Sequence, residues 1–471
     1  MRLTKIICTL GPSSHSDEGI DALARAGMNI ARINFSHGDR KQHLQVMERI
    51  RAWNEKHGRG LGICIGTILD TKGAEIRTGD TDHPIEILKG EEVIFSPETN
   101  ERSAKKTIFV NYSGFANDVR ETDRILIDNG EIAFDIVRTE KNGDVVAKAR
   151  GAGKIGSRRH INLPGADVDL PSITEQDWKD IEFGIEENMD FVALSFIRNR
   201  DDVEIVREFI KKKKGSMEII AKIETEQAVE NIAEIVHAAD AIMVARGDLG
   251  AELPFERLPV IQDEIVARCR EVGRPVIIAT HMLESMIAQP IPTRAEVTDI
   301  AHAAMTQTDA TMLSGETAAG KHPLLALEAM DKVLRATEEH LAVFRINQPE
   351  PVQSERQARA EAAFTLAEST NAKALLTFTR TGQTARDLAK FRPRIPVLAF
   401  TDDEATQRKL SLSYAVAPFV MKLDKDPEKT VLQALAHVKE AGLLHTGDRV
   451  VIVSDAQAHE QLINTVQLRV V

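Results

Sequence analysis

The chain has 471 residues, 42% hydrophobic and 28% charged, a globular composition long enough for two to four domains. Its 60 Lys and Arg against 72 Asp and Glu give a formal charge of −12, which argues against a non-specific nucleic-acid binder. No apolar run reaches the ~18 residues of a membrane span, no secretory pattern follows Met1, and the odd, scattered Cys8, Cys64 and Cys269 suit a reducing compartment.

In chain order, a buried strand is expected over 6–10, ending at Gly11-Pro12, then a helix capped by Ser16 with Ile20, Leu23 and Ala24 on its apolar stripe. A strand over 28–34 follows, then a helix with Leu44, Met47, Ile50 and Trp53 on one face, then a strand over 61–69. Helices between strands are the mark of a parallel sheet. From 71 to 170 the rhythm changes to short alternating runs, including 91–95, 124–127 and 144–149, with a hairpin signal at Lys141-Asn142-Gly143-Asp144. The α/β rhythm resumes near Thr174, with strands over 190–197, 218–223, 241–246, 275–280 and 309–313. Eight β/α units with an insertion after the third are the arithmetic of an α/β fold, a TIM (β/α)8 barrel over 1–70 and 171–341 interrupted by an inserted β module over 71–170, with a doubly wound sheet as the alternative. A helix over 325–338 closes this part, 342–354 reads as linker, and a C-terminal α/β domain occupies 355–471. In that domain helices are expected over 356–368, 384–390 and 406–412, and strands over 374–378, 396–400 and 449–453.

Barrel chemistry belongs at the C-terminal ends of the strands. There the sequence places Arg32 and Asn34 after strand two, Asp70, Thr71 and Lys72 after strand three, and Lys222 and Glu224 at the end of strand five. Arg246-Gly247-Asp248 ends strand six, Thr280-His281 strand seven, and Ser314-Gly315-Glu316-Thr317 strand eight. Lys222 and Glu224 flank Ile223 inside an apolar run, so both face one way and need partners or a ligand. Glu224 and Asp248, from neighbouring strands and without a Cys or His set, suit Mg²⁺ or Mn²⁺. Carboxylates for a divalent ion beside Arg32, Lys72, Arg77 and Lys222 are equipment for a phosphorylated substrate. No Walker-type or dinucleotide glycine loop is present. Gly151-Ala152-Gly153-Lys154 opens no expected helix, Ser36-His37 lacks an orienting carboxylate, Cys8 and Cys64 read as core fillers, and Lys211 to Lys214 reads as a solvated helix end.

The stretches Asn34-Phe35-Ser36-His37-Gly38, Leu69-Asp70-Thr71-Lys72-Gly73, Ala221-Lys222-Ile223-Glu224, Ala245-Arg246-Gly247-Asp248-Leu249-Gly250 and Leu313-Ser314-Gly315-Glu316-Thr317, with 5–12, 282–286 and 292–296 in order between them, resemble the pyruvate kinase family. The resemblance covers residues 1–340 in detail and the C-terminal domain in layout. It implies phosphoryl transfer from phosphoenolpyruvate to ADP, giving pyruvate and ATP in the last step of glycolysis, by a cytoplasmic homotetramer. It assigns Glu224 and Asp248 to Mg²⁺ or Mn²⁺, and Lys222 and Arg32 to the phosphoryl group. The backbone at Gly247 and Asp248 is assigned to the substrate carboxylate, and Thr280 to enolate protonation through a water relay. Asn34, Ser36, Asp70 and Thr71 match a K⁺ site, with Glu75 the family's mark of potassium dependence. Arg77 and Arg159 match nucleotide-side positions, and the inserted domain becomes a β-barrel lid domain.

Departures from the family pattern are Ala74, His281, Arg159-His160 and Thr225-Glu226-Gln227-Ala228, none of which removes Lys222 or a metal ligand. A phosphoenolpyruvate mutase or lyase on the same barrel would need no Arg77, Arg159 or lid, and a degenerate sensor would lack Lys222, Glu224 or Asp248. In the C-terminal domain Thr379-Arg380-Thr381-Gly382-Gln383-Thr384 matches the family's effector loop, a phosphate cradle at a helix start. Ser454-Asp455-Ala456-Gln457-Ala458-His459-Glu460 lacks the glycine of bisphosphate-responsive members and carries two acids. The expected effector is a sugar monophosphate or nucleoside monophosphate rather than fructose-1,6-bisphosphate. No nucleic-acid or membrane partner is expected.

Overall fold

Eight short strands, Lys5–Thr9, Ile30–Asn34, Gly66–Asp70, Phe191–Leu194, Glu218–Ile223, Ala241–Ala245, Val276–Ala279 and Ala310–Leu313, form a closed parallel barrel. The first strand pairs with both the second and the eighth, which removes every sheet edge. The computed structural model describes residues 1–58, 63–97, 106–119, 124–128, 130–166, 168–340, 354–458 and 461–471. Strands buried on both faces read as unbroken apolar runs, yet their two-residue period sorts side chains into two layers. Ile7, Ile30, Ile68, Phe191, Ile220, Met243, Ile277 and Met312 fill the barrel interior. Their neighbours Ile6, Ala31, Leu69, Val192, Ile219, Ile242 and Ile278 face the surrounding helices.

Local chemistry sets the helix ends. The Ser16 hydroxyl accepts from the Gly19 N–H, and Gly27 at φ +116° ends the helix Asp17–Ala26. The helix Arg40–His57 buries His43, Val46, Met47, Ile50 and Trp53; Leu44, expected on that stripe, is half-buried beside it. The third barrel strand begins at Gly66, not at 61, and 59–62 lie outside the described residues.

The insertion is β-rich. Six strands assemble in the order Ile161–Asn162, Arg124–Ile127, Ile132–Thr139, Val145–Ala149, Glu92–Pro97, Thr107–Val110, with a separate ribbon of Ile85–Ile87 and Gly153–Ile155. Phe95, Phe115 and Phe134 centre its own core. The expected hairpin joins Ile132–Thr139 to Val145–Ala149, with Gly143 at φ +87°. An antiparallel bridge between Arg77 and His160 ties together the outgoing and returning connections to the barrel.

The C-terminal sheet has the order Val416–Val420, Val397–Thr401, Ala374–Phe378, Arg449–Ala458, Gln461–Val470, the last strand antiparallel. Its helices include Glu355–Thr370, Gln383–Lys390 and Glu404–Leu410. The third begins two residues before the expected start because the Asp403 carboxylate accepts from the Thr406 N–H as its cap. The linker expected at 342–354 falls, apart from Ser354, outside the described residues. This domain docks on the N-terminal end of the barrel: Leu412 packs within the barrel-interior cluster, Arg392 makes a buried bidentate pair with Asp309 at 2.7 and 2.8 Å, and Arg408 lies 2.9 Å from Asp190. Among the described residues no helix is long and apolar enough to cross a membrane.

Candidate active site

The parity that fills the barrel also builds its mouth. Ile7, Ile30, Ile68 and Ile220 point inward, so two residues on Thr9, Arg32, Asp70 and Lys222 point inward as well, with Glu224 one step further. A hydrophobic interior is thereby capped by a polar layer at the C-terminal ends of the strands.

Asp70 sits at the centre of this layer. Its Oδ2 accepts from Arg32 Nε at 2.6 Å and its Oδ1 lies 3.2 Å from Lys222 Nζ. Lys222 Nζ also lies 2.8 Å from Glu224 Oε1 and donates to Ser195 Oγ at 2.8 Å. Arg32 spends a second donor on Thr9 Oγ1 at 3.0 Å. Asp70 and Glu224 are each 1% exposed, so these charges are stable only as a set. Burial opposes ionisation of Asp70, but Arg32 and Lys222 outweigh it and hold the carboxyl below its ordinary range. Burial also works against the Lys222 ammonium, and Asp70 and Glu224 overcome it, so the lysine stays charged.

Glu224 and Asp248 follow neighbouring strands, and each feels the other's charge. Burial, with Asp248 beside it, pushes Glu224 up to about 7 against the pull of Lys222. Asp248 is raised as well, first by burial. Two neighbouring acids, Glu224 buried and Asp248 partly so, oppose each other's ionisation, and a cation between them relieves it. Their hard oxygens fit a divalent ion. Glu224 Oε2 is further fixed by the Phe196 N–H at 2.8 Å. His160, from the insertion, reaches over the mouth with Nδ1 3.9 Å from Asp248 Oδ1, and burial lowers its pKa.

Thr280 closes the other side. Its Oγ1 accepts from the Gly247 N–H at 2.8 Å and donates to the Ala279 carbonyl at 2.7 Å. Thr280 at φ +66° and His281 at φ +55° are consecutive left-handed residues, a strained arrangement for a β-branched side chain of the kind found at working sites. Arg246 braces the turn through the Thr280 carbonyl at 2.7 Å and Asp299 at 2.7 Å.

The remaining predicted residues divide by location. Asn34 Oδ1 accepts from the Ser36 N–H at 3.1 Å, and the Thr71 carbonyl accepts from Ser195 Oγ at 2.7 Å. Arg77 and Arg159 stand on the insertion, Arg77 donating to Glu75 at 2.5 Å and Arg159 lying 3.2 Å from Asp128. Thr379 to Thr384 lie in the C-terminal domain, away from the barrel mouth. Thr379 Oγ1 accepts from Gly382 N–H at 2.9 Å, Gly382 has φ +82°, and the helix Gln383–Lys390 begins after it. His459 and Glu460 of the second loop fall outside the described residues.

Ser195, Phe196, Thr9 and His160 join the site without having been singled out for it. Thr9 at the end of strand one and Ser195 after strand four are uncharged, and a lone hydroxyl at a strand end carries no charge signal in the sequence. Glu316, by contrast, is structural: its carboxylate accepts from Leu283 and Ser314 N–H groups at 3.0 and 2.7 Å. Cys8, Cys64 and Cys269 are buried and free, with burial raising each thiol pKa, and Lys211 to Lys214 are exposed.

Residues 1–327 match the family described as pyruvate kinase, barrel domain, and 357–469 match pyruvate kinase, alpha/beta domain. The chain is 40% identical over 466 residues to the pyruvate kinase of Dictyostelium discoideum, covering 96% of this chain and 90% of that protein. It is 38% identical over 477 residues to the pyruvate kinase of Bacillus licheniformis, covering 100% and 81%. With plastidial pyruvate kinase 2 of Arabidopsis thaliana it shares 40% identity over 454 residues, covering 96% and 78%. A crystal structure of a pyruvate kinase from Cryptosporidium parvum superposes with a TM-score of 0.91 at 35% identity, covering 100% of this chain and 96% of that one.

Proposed function

The chain belongs to the pyruvate kinase family, a phosphotransferase that moves the phosphoryl group of phosphoenolpyruvate to ADP, and we propose that Lys222, Arg32 and Thr280 carry the chemistry. In the transfer, the bond from phosphorus to the enol oxygen breaks and one to a terminal oxygen of ADP forms; the enolate then takes a proton on carbon and becomes pyruvate. The observation that carries the assignment is the Lys222 ammonium, held within 2.8–3.2 Å of Ser195, Glu224 and Asp70 on the barrel axis. One of its three N–H donors turns from these partners to the phosphoryl oxygens as negative charge moves between them, while the other contacts hold the ammonium in place. Arg32, braced by Asp70 and Thr9, clamps the phosphate from the side. The substrate carboxylate takes the Gly247 N–H in exchange for its bond to Thr280 Oγ1, and the Thr280 hydroxyl so released orients the water that protonates the enolate. A threonine hydroxyl is too weak an acid to supply that proton itself, so Thr280 is read as part of a relay.

Glu224 and Asp248 would hold Mg²⁺ or Mn²⁺, which neutralises phosphate charge and aligns the reacting oxygens when bound. Asn34, Ser36, Asp70 and the Thr71 carbonyl supply hard oxygens suited to K⁺. Arg77 and Arg159 on the insertion are read as contacts to the nucleotide, and the insertion (71–170) as a lid that excludes water during transfer. The barrel (1–70, 171–341) and the C-terminal unit (355–471) complete the domain division.

The reading extends to a homotetramer, for which Phe255, Val260 and Ile291 offer exposed apolar side chains, and to the cytoplasm, which suits three unpaired cysteines. Thr379 to Thr384 are read as the cradle for a sugar or nucleoside monophosphate. The helix that follows carries Arg386, whose guanidinium lies 2.7 Å from Glu218 at the foot of the strand that ends in Lys222 and Glu224. A coupled pyruvate assay with metal, potassium and effector titrations tests the whole. Consumption of ADP matching pyruvate formed, with ribose 5-phosphate, glucose 6-phosphate or AMP steepening phosphoenolpyruvate saturation, is expected. No response to these three refutes the effector assignment, and activation by micromolar fructose-1,6-bisphosphate alone refutes the reading of 454–460.

A further inference from the structure

A cavity of about 260 Å³ lies between the returning segment of the insertion, at 160–166 and 168–172, and the barrel-side turns at 196–198, 225–230 and Glu252. None of Arg32, Asp70, Lys222, Glu224, Asp248 or Thr280 lines it. His160 and Phe196, ring centroids 6.0 Å apart, are shared between its wall and the active site, since His160 faces Asp248 and the Phe196 N–H holds Glu224.

The wall is acidic on one side and apolar on the other. Glu226, Glu230 and Glu252 line it, and among the described residues no Lys, Arg or His lies within ion-pair distance of any of the three. Arg198, the one guanidinium among the described lining residues, turns its two terminal nitrogens to the Val168 and Leu170 carbonyls and Ser172 Oγ, at 2.6, 2.5 and 3.1 Å. Leu163, Val168, Leu170 and Phe196 supply apolar surface.

A second observation points to a missing occupant. Asn162 is 4% exposed and stands in the cavity wall; its Nδ2 donates to Glu252 Oε1 at 3.2 Å, while its Oδ1 has no hydrogen-bond partner. A buried amide oxygen left unpaired loses its hydration with nothing in return, so natural sites satisfy it. Burial first, then Glu226 and Asp248, push Glu252 up to about 7, the condition of a carboxylate short of a counter-cation.

We propose that this cavity is a binding site for a small aliphatic ammonium compound, with one ammonium donating to Asn162 Oδ1 and Glu252 and the chain lying along the apolar wall. A second ammonium on a short diamine would meet Glu226 and the exposed Glu230 at the mouth. An inorganic cation would satisfy the acids but leave the apolar wall bare, and a quaternary amine has no N–H for Asn162. Because the walls come from the insertion and the barrel, an occupant bridges the two. The site is separate from the phosphoryl-transfer residues, and its test does not depend on them.

The test is isothermal titration calorimetry of the full chain with putrescine at fixed ionic strength, compared with tetramethylammonium. One saturable site per chain, with Kd of roughly millimolar or tighter, is expected for putrescine and none for tetramethylammonium. The variant Glu252→Gln and the outer pair Glu226→Gln with Glu230→Gln should each weaken binding at least about tenfold, and the outer pair lies far enough out to leave folding intact. Absence of saturable heat from putrescine overturns the proposal. So does binding retained in both variants, which would place the amine at other carboxylates such as Glu224 and Asp248, and so does equal binding of tetramethylammonium.

Discussion

Replacing Lys222 with methionine keeps the length and most of the volume of the side chain and removes its charge. In the intact layer Arg32 and Lys222 face Asp70 and Glu224, two cations against two anions, all nearly closed to solvent. Without the ammonium, Asp70 keeps Arg32 at 2.6 Å, but Glu224 keeps only the Phe196 N–H, with the Asp248 charge still opposing its ionisation. An uncompensated buried charge costs roughly 3–5 kcal/mol if it persists. Glu224 has an escape, since burial already holds it at about 7 and loss of Lys222 raises it further, so it takes up a proton at neutral pH. The fold therefore survives with a smaller loss than that figure. Turnover does not, because the proton does not replace a donor aimed at the phosphoryl oxygens; loss of one preorganised donor lowers turnover about 10²–10³-fold, or ~2.7–4 kcal/mol in the barrier. The assay is steady-state pyruvate formation at saturating metal, with the unfolding midpoint of each protein measured in the same buffer. Turnover within about threefold of the parent, with the variant folded, refutes the role given to Lys222.

Glu224→Gln and Asp248→Asn should raise the Mg²⁺ concentration needed for half-activity, with excess metal recovering part of the rate; an unchanged metal titration in both places the ligands elsewhere. Activity should depend strongly on K⁺, and Glu75→Lys should relax that dependence, read as the ratio of rates in potassium and tetramethylammonium buffers. Arg392→Ala strands Asp309, which also accepts from the Val276 and Tyr414 N–H groups, and should destabilise the chain by about 3–5 kcal/mol in urea unfolding. Glu252, raised from 4.5 to about 7, holds its proton in the folded chain where the unfolded chain has lost it. It therefore lowers stability as pH rises from 4.5 towards 7, by an amount on the order of 3 kcal/mol, and Glu252→Gln should flatten that part of the unfolding profile. A variant as pH-sensitive as the parent would show that another group is responsible.

Much of this protein is written in local sequence. Alternation at 218–224 puts Lys222 and Glu224 on one face, β/α rhythm counts the eight strands, and Asn-Gly at 142–143 sets a hairpin; each is a near-neighbour effect that needs no knowledge of the rest of the chain. One strand escaped because its signal is overridden. Val416–Val420 contains Pro418, which argues against a strand until the sheet order shows it at an edge, where a missing N–H is tolerated. The helix Pro427–Glu440 escaped although it does carry a local signal, Asp426 as cap, Pro427 at its first position and Val431, Ala434 and Val438 on one stripe. What no local reading supplied is who meets whom. Asp70 joins Arg32 to Lys222 across 38 and 152 residues of chain, Ser195 and Phe196 complete the grip on Lys222 and Glu224, and Leu412 of the C-terminal domain enters the barrel-interior cluster. Closing the barrel makes these partners: a strand's own period decides which way its side chains point, but only the ring of eight brings their inward ends within a few ångströms, where buried charges must find each other or be lost.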